Sequence, residues 1–287
     1  MAEVHSQVDV TQRIYDSSCL KDYITCPKKY YYNSVVGLRP KKEPEPLVFG
    51  RAFHDALMMW YQNKEVEECI TAFDILPKVM NDPKRTKERG ISLIKGYTKK
   101  WGRDNTMYKT ISLEDTFILD MGNGRMYCGR FDRIVRNTMT SSGEVYVQDH
   151  KTSKTLGAYF YNSFRPCMQM NGYAYACFTM FGNCGGIILN GISIADNPKE
   201  RFGRSVSPRT PREIEEFPTV FNQWTQRLEA DTLLQEFPKC YSECNRWGKC
   251  AFWDLCVHGE DQRSIEMYFT TRKQREEEEK KKEEVND

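Results

Sequence analysis

Residues 145–152 carry the clearest hydrophobic pattern in the chain. Val145, Tyr146 and Val147 lead into Gln148-Asp149-His150-Lys151-Thr152, which reads as a β-strand. Successive strand side chains face opposite ways, so Asp149 and Lys151 share one face and His150 looks away from both. Upstream, residues 110–121 and 125–137 read as two strands joined by the turn Gly122-Asn123-Gly124, with Asp132 inside the second. Residues 186–196 read as a further strand. Between these lie helical periods. Phe49, Phe53, Ala56, Leu57 and Trp60 recur as one buried stripe with His54 at its margin. Residues 64–103 continue as helices, the last from Lys84 to about Trp101. Residues 162–181 form a helix with Pro166 near its start, on which Gln169 and Tyr173 lie one turn apart. A long helix covers 211–234. Near the beginning, Ser17 or Ser18 caps a short helix ending near Thr25, and a second starts at Pro27. Residues 39–46 form a loop, and 199–211 are basic and irregular.

Composition adds class but little chemistry. With 287 residues, 39% hydrophobic and 29% charged, the chain suits a soluble globular protein built as one large domain or as a domain with a substantial appendage. It has no apolar run of about 18 residues, so no membrane span is expected. Residues 1–10 lack the pattern of a secretory signal, which makes a cytoplasmic location the default expectation. A formal net charge of +2 gives no global basic field, so a nucleic-acid partner would need a local stripe. Eleven cysteines in such a chain point to metal or cluster ligation before disulfides. An acid inside one strand and another near the end of its neighbour is costly to bury unless paired or bound to a cation.

Six motifs then occur in a familiar order: Cys26-Pro27, Gly50-Arg51-Ala52-Phe53-His54, Gly129-Arg130-Phe131-Asp132, Asp149-His150-Lys151-Thr152, Gln169-x-x-x-Tyr173, and Cys244, Cys250 and Cys256. In this order the chain resembles the PD-(D/E)xK nucleases of the RecB/Cas4-like branch. The resemblance implies an α/β fold: a restriction-endonuclease-like core with a mixed central sheet flanked by helices, a helical insertion, and a cysteine-rich clasp joining the N- and C-terminal segments. It implies Asp132, Asp149 and Lys151 as catalytic residues. His54, Asp132, Asp149 and the carbonyl of His150 would hold Mg²⁺ or Mn²⁺, the imidazole tilting the choice towards Mn²⁺. Gln169 and Tyr173 would border the site and contact nucleic acid. Lys154, Lys28 and Lys29 are further candidates for phosphate contact, and packing of Tyr30, Tyr31 and Tyr32 in an amphipathic helix is the alternative to their stacking on bases.

The same resemblance implies a [4Fe-4S] cluster on Cys26, Cys244, Cys250 and Cys256. Cys240 leaves a local zinc site with Cys244, Cys250 and Cys256 as the alternative. Cys19, Cys69, Cys128, Cys167, Cys177 and Cys184 are expected to be buried small residues. The implied organisation is a polar lead-in (1–17), an N-terminal helical segment (18–46), a nuclease core (47–236) with its helical part at 64–103, a cysteine-rich clasp (237–260) and a charged tail (261–287), helical or disordered from 272. The implied activity is a metal-dependent DNA nuclease, an exonuclease on single strands or DNA ends in recombination, repair or phage replication. A non-catalytic DNA-end-binding or assembly subunit, and a Cas4-type spacer-processing nuclease, are the alternatives. No Gly-x-x-x-x-Gly-Lys-[Ser/Thr] phosphate-binding loop occurs, so a helicase or recombination partner would be a separate chain.

Overall fold

A computed structural model of the chain describes residues 13–74, 81–104, 106–246, 248–271 and 274. In chain order the elements are β1 (Arg13–Asp16), α1 (Ser17–Thr25), α2 (Pro27–Tyr30), β2 (Leu38–Pro40), α3 (Glu45–Tyr61), α4 (Val66–Phe73) and α5 (Lys87–Trp101). Next come β3 (Tyr108–Asp120), β4 (Arg125–Asn137), β5 (Val145–Ser153), α6 (Ala158–Asn162), α7 (Met168–Phe181), β6 (Gly186–Ser193) and β7 (Phe202–Ser207). The long α8 (Pro211–Leu234), α9 (Trp253–His258), α10 (Gln262–Tyr268) and β8 (Phe269–Thr271) complete the described chain. Most of the polar lead-in and of the charged tail lies outside the described residues. None of the described helices is long and apolar enough to cross a membrane.

Two compact units result. One comprises residues 44–119 and 127–219, the other residues 1–43, 120–126 and 220–287. The first holds the mixed sheet. Strands run β4-β5-β6-β7 with β3 also on β4; β5 and β6 are parallel and the neighbouring pairs antiparallel. A parallel pair needs a crossover, and α6 and α7 supply it. β6 is buried along its whole length, as a strand covered on both faces must be. On one side α3, α4 and α5 pack Phe49, Phe53, Leu57, Phe73, Leu93 and Tyr97 into a single apolar cluster that reaches Ile192 and Ile194 of the sheet. The stripe foreseen on α3 is therefore the centre of this unit's core.

The second unit closes its own ends together. β2 pairs antiparallel with β8, setting Leu38 opposite Thr271. Tyr32, Leu38, Phe252, Leu255 and Phe269 form the core there, with Cys250 and Cys256 packed against it. Glu229 of α8 gathers three pieces of chain: it accepts both Nε and Nη2 of Arg125, at 3.0 and 2.7 Å, and the Tyr15 hydroxyl at 2.9 Å. Burial pushes the Glu229 carboxyl up, but these donors outweigh it and hold the group below its ordinary range. Glu229→Ala should cost about 2–4 kcal/mol, because Arg125 and Tyr15 lose their acceptor in a mostly buried place. A folded pKa below the unfolded one means this stability is complete above about pH 4.3 and fades as pH falls further. Thermal melts of parent and variant at pH 7 and pH 3.5 check both the size and the convergence.

Several sequence expectations change in the structure, the loop expected at 39–46 being shortened by β2 and α3 at its two ends. Asp16, rather than Ser17 or Ser18, caps α1 by accepting the Cys19 N–H. The helix assigned to 162–181 begins at Met168, because Pro166 disfavours a helical conformation at the residue before it. Residues 199–211 are not wholly irregular, since β7 lies within them and pairs with β6. Of the six cysteines expected to be buried, Cys69 and Cys177 are, whereas Cys19, Cys128, Cys167 and Cys184 are partly exposed.

Candidate active site

The two acids of the sequence motif meet because of register. Arg133 pairs with Gln148 across β4 and β5, so one step further Asp132 stands opposite Asp149 on the same sheet face. Lys151 follows two residues along that face. Its ammonium donates to Asp149 Oδ1 at 2.9 Å and lies 2.7 Å from Oδ2, without hydrogen-bond alignment to the latter. Asp149 is fully buried. Burial raises its pKa, Lys151 pulls it down, and Asp132 adds to the rise. Burial also works against the charge on Lys151, but Asp149 and Asp132 outweigh it and raise its pKa.

Asp132 is met from two other elements. Its Oδ2 accepts the backbone N–H of His150 at 2.9 Å and faces His54 Nδ1 of α3 at 3.3 Å. His54 Nε2 donates to the carbonyl of His150 at 2.8 Å. Both ring nitrogens of His54 thus face acceptors, an arrangement that suits the imidazolium. Burial opposes that charge, yet the Asp132 carboxylate prevails and pushes the pKa of His54 up to about 9. Asp132 correspondingly stays far below the usual carboxylate range despite its burial, held there first by His54.

Glu114 of β3 joins this group, and the sequence reading missed it. The ligand atoms of His54, Glu114 and Asp132 all lie within 4.8 Å of one another, the one such group among the described residues. Glu114 sits at φ +48°, a left-handed conformation that costs energy for a non-glycine residue inside a strand. Its carboxylate also pairs with Arg130 Nε at 2.9 Å. Burial, then Asp132, raises its pKa. The only hint in the sequence was an acidic pair, Glu114-Asp115, in the middle of an otherwise mixed strand.

The remaining candidates separate into those near this group and those elsewhere. Tyr173 is buried and donates to the carbonyl of Arg130 at 2.7 Å while accepting from Gln169 Nε2 at 3.1 Å. These two residues thereby hold the stretch of β4 that presents Asp132. Lys154 is exposed just beyond β5. Lys28 and Lys29 belong to the other unit, where they pair with Glu260 and Asp22, each at 2.7 Å. Tyr30 and Tyr32 are buried there, which is the packing alternative. Gly191 lies beside Lys151 in the β5–β6 register, and a Cβ on it would come within 2.7 Å of Leu156 and 3.0 Å of Phe160. The missing side chain lets residues 156–161 lie flat on the sheet next to the lysine.

The five cysteines of the candidate clasp also gather within their unit. The Cys240 N–H donates to Cys26 Sγ at 3.3 Å, Cys244 Sγ approaches the Cys240 carbonyl at 3.7 Å, and the Cys250 N–H donates to the Cys244 carbonyl at 2.9 Å. Burial raises the thiol pKa of Cys244 and Cys256.

The family model described as the PD-(D/E)XK nuclease superfamily matches residues 17–257. No curated protein matches the sequence. Among solved structures, a candidate exonuclease from Eubacterium rectale is similar in fold, with a TM-score of 0.56 at 12% identity, covering 91% of this chain and 93% of that one.

Proposed function

The chain belongs to the PD-(D/E)XK nuclease superfamily, and we propose that it is a metal-dependent DNA exonuclease of the RecB/Cas4-like branch, acting on single strands or DNA ends. One observation carries this reading: Asp132 and Asp149 face each other across β4 and β5, with Lys151 and His54 against them.

The donor set fits a hard divalent cation. His54, Glu114 and Asp132 offer ligand atoms within 4.8 Å of one another, the His150 carbonyl adjoins them through His54, and the buried Asp149 lies nearby, paired with the Lys151 ammonium. Asp132 and Asp149 would be the principal ligands, with Glu114, the His150 carbonyl and His54, once it has released its ring proton in competition with the incoming cation, completing the set. When bound, a Mg²⁺ or Mn²⁺ ion supplies a more acidic water and neutralises charge on the scissile phosphate. The protein's own groups do the rest. Lys151, held beside Asp149, would orient the attacking water or help to deprotonate it. Gln169 and Tyr173 keep Asp132 in line. Lys154, exposed just beyond the same strand, would meet a neighbouring phosphate.

Glu114 has a separable role as a ligand. Glu114→Gln should raise the Mn²⁺ concentration for half-maximal rate about tenfold, with a smaller loss at saturation. Initial rates across a Mn²⁺ series check this.

A [4Fe-4S] cluster on Cys26, Cys244, Cys250 and Cys256 is the reading we favour for the cysteines. An N–H···S bond such as that from Cys240 to Cys26 suits a cluster thiolate. A tetrahedral zinc with Zn–S near 2.3 Å needs sulfurs about 3.8 Å apart. Among the described residues no three cysteine sulfurs lie within even 4.8 Å of one another.

The function is tested with end-labelled single-stranded and duplex oligonucleotides, with Mg²⁺, with Mn²⁺ and with chelator. Metal-dependent shortening from an end supports an exonuclease. Binding without cleavage under every condition would instead leave a DNA-end-binding or assembly subunit.

A further inference from the structure

The sheet face opposite the candidate active site is as polar as the site itself, although it lies within the unit's core. Arg133, Gln148, Asn190 and His150 are all buried. Register makes them neighbours: Arg133 stands opposite Gln148, His150 beside Asn190, and Asn190 opposite Arg204 of β7. A cross-strand ladder follows from this. Arg204 Nε donates to Asn190 Oδ1, at 2.6 Å. Asn190 Nδ2 in turn donates to His150 Nδ1 at 3.2 Å and to the Tyr97 hydroxyl at 3.0 Å. Asp104 anchors the far end, accepting both Nη atoms of Arg204 at 3.2 and 2.9 Å and lying 3.5 Å from Arg133. Arg133 also donates to Gln148 Oε1 at 2.7 Å. These bonds tie each member of the buried lattice to its neighbours, although the Gln148 Nε2 amide has no partner among the described residues.

His150 is where this lattice touches the site. Its N–H bonds the Asp132 carboxylate and its carbonyl bonds His54, on the other side of the strand. The β4 ladder ends at Gln148, whereas pairing with β6 continues to Ser153. On the β4 side, therefore, the main-chain groups of His150 are given to site residues instead of a neighbouring strand. What holds residue 150 against that pull is β6 on one edge and its own imidazole below. Asn190 Nδ2 can only donate, so the Nδ1 of that imidazole accepts.

We propose that the His150 side chain is a positioning residue for the metal site: the His150–Asn190–Arg204 ladder, tied down by Asp104, sets where the His150 N–H and carbonyl stand. This rests on the metal-site reading above. His150 would act in two ways, its carbonyl as a ligand and its side chain as the fixture that orients that ligand, as outer contacts orient ligands at other metal sites.

The test compares His150→Leu, His150→Asn and Arg204→Lys with the parent. Mn²⁺ affinity is read by calorimetry without nucleic acid, and half-maximal Mn²⁺ for cleavage is read separately. His150→Leu should weaken Mn²⁺ binding about 10–100-fold. In His150→Asn an amide oxygen takes the place of Nδ1, so binding should stay within about threefold. Arg204→Lys keeps the charge but loses the paired geometry with Asp104 and Asn190, and should weaken binding roughly 3–10-fold. Parental Mn²⁺ affinity in a folded His150→Leu overturns the proposal, as does equal loss in the Leu and Asn variants. Should His150→Leu fail to fold by circular dichroism, unchanged affinity in Arg204→Lys overturns it alone. Because the calorimetry needs no substrate, a failure of the nuclease reading is seen apart from a failure of the ladder.

Discussion

Asp149→Asn removes metal-dependent cleavage by at least about 10³-fold while leaving the protein folded. The rate loss corresponds to about 4 kcal/mol of barrier or more, the scale expected when a site loses a principal cation ligand. The fold survives because Asp149 is itself a burden. A fully buried carboxylate whose pKa burial has raised, set near Asp132, contributes little to stability. Its asparagine counterpart fills the same volume without the charge. Lys151→Met should lose as much activity but melt at a lower temperature than Asp149→Asn, since it strands a buried carboxylate without its ammonium. Steady-state cleavage of a labelled oligonucleotide, paired with thermal melts of the metal-free variants, reads both halves. A Lys151→Met protein more stable than Asp149→Asn would contradict the electrostatic account.

If the cysteines hold the proposed cluster, Cys26→Ser should abolish the brown colour of protein purified without oxygen and lower its melting temperature by roughly 6–12 °C. Cys26 and Cys244 are more than two hundred positions apart, so any group that ligates both ties the start of the chain to its end. Losing such a tie costs on the order of 3–5 kcal/mol by analogy with other long-range cross-links, which sets the size of the shift. Cys240→Ser, by contrast, should keep the colour, because Cys240 offers Cys26 its backbone N–H and not its thiol. Iron and labile sulfide in about a four-to-four ratio belong to the parent and to Cys240→Ser. Zinc alone, lost with Cys240 and retained without Cys26, would establish the local four-cysteine site instead.

Much of this site could be read in the sequence because it is written in local patterns. The strand carrying Asp149 and Lys151 announces itself by alternation, and the stripe around His54 by helical period. The ends of α8 are legible from Pro211 and the polar stretch after Leu234. What escaped depends on contacts between distant residues. β7 looked irregular because Gly203 is small and Arg204, a charged residue, points inward to Asn190 and Asp104. No hydrophobic alternation marks a strand whose inward residue is an arginine matched by an acid a hundred positions away. Glu114 escaped for a second reason: its left-handed conformation departs from strand alternation, and no pattern of residue types encodes it. His150 read correctly as facing away from Asp149 and Lys151, but only the folded sheet shows the polar lattice it meets there.

The central claim is that one divalent-ion site lies between β4 and β5 on the face of Asp132 and Asp149. Anomalous diffraction from Mn²⁺-soaked crystals tests it most directly. A manganese peak in contact with the Asp132 and Asp149 carboxylates is the predicted result. Mn²⁺-saturated protein that cleaves DNA yet shows no peak at those carboxylates would contradict it.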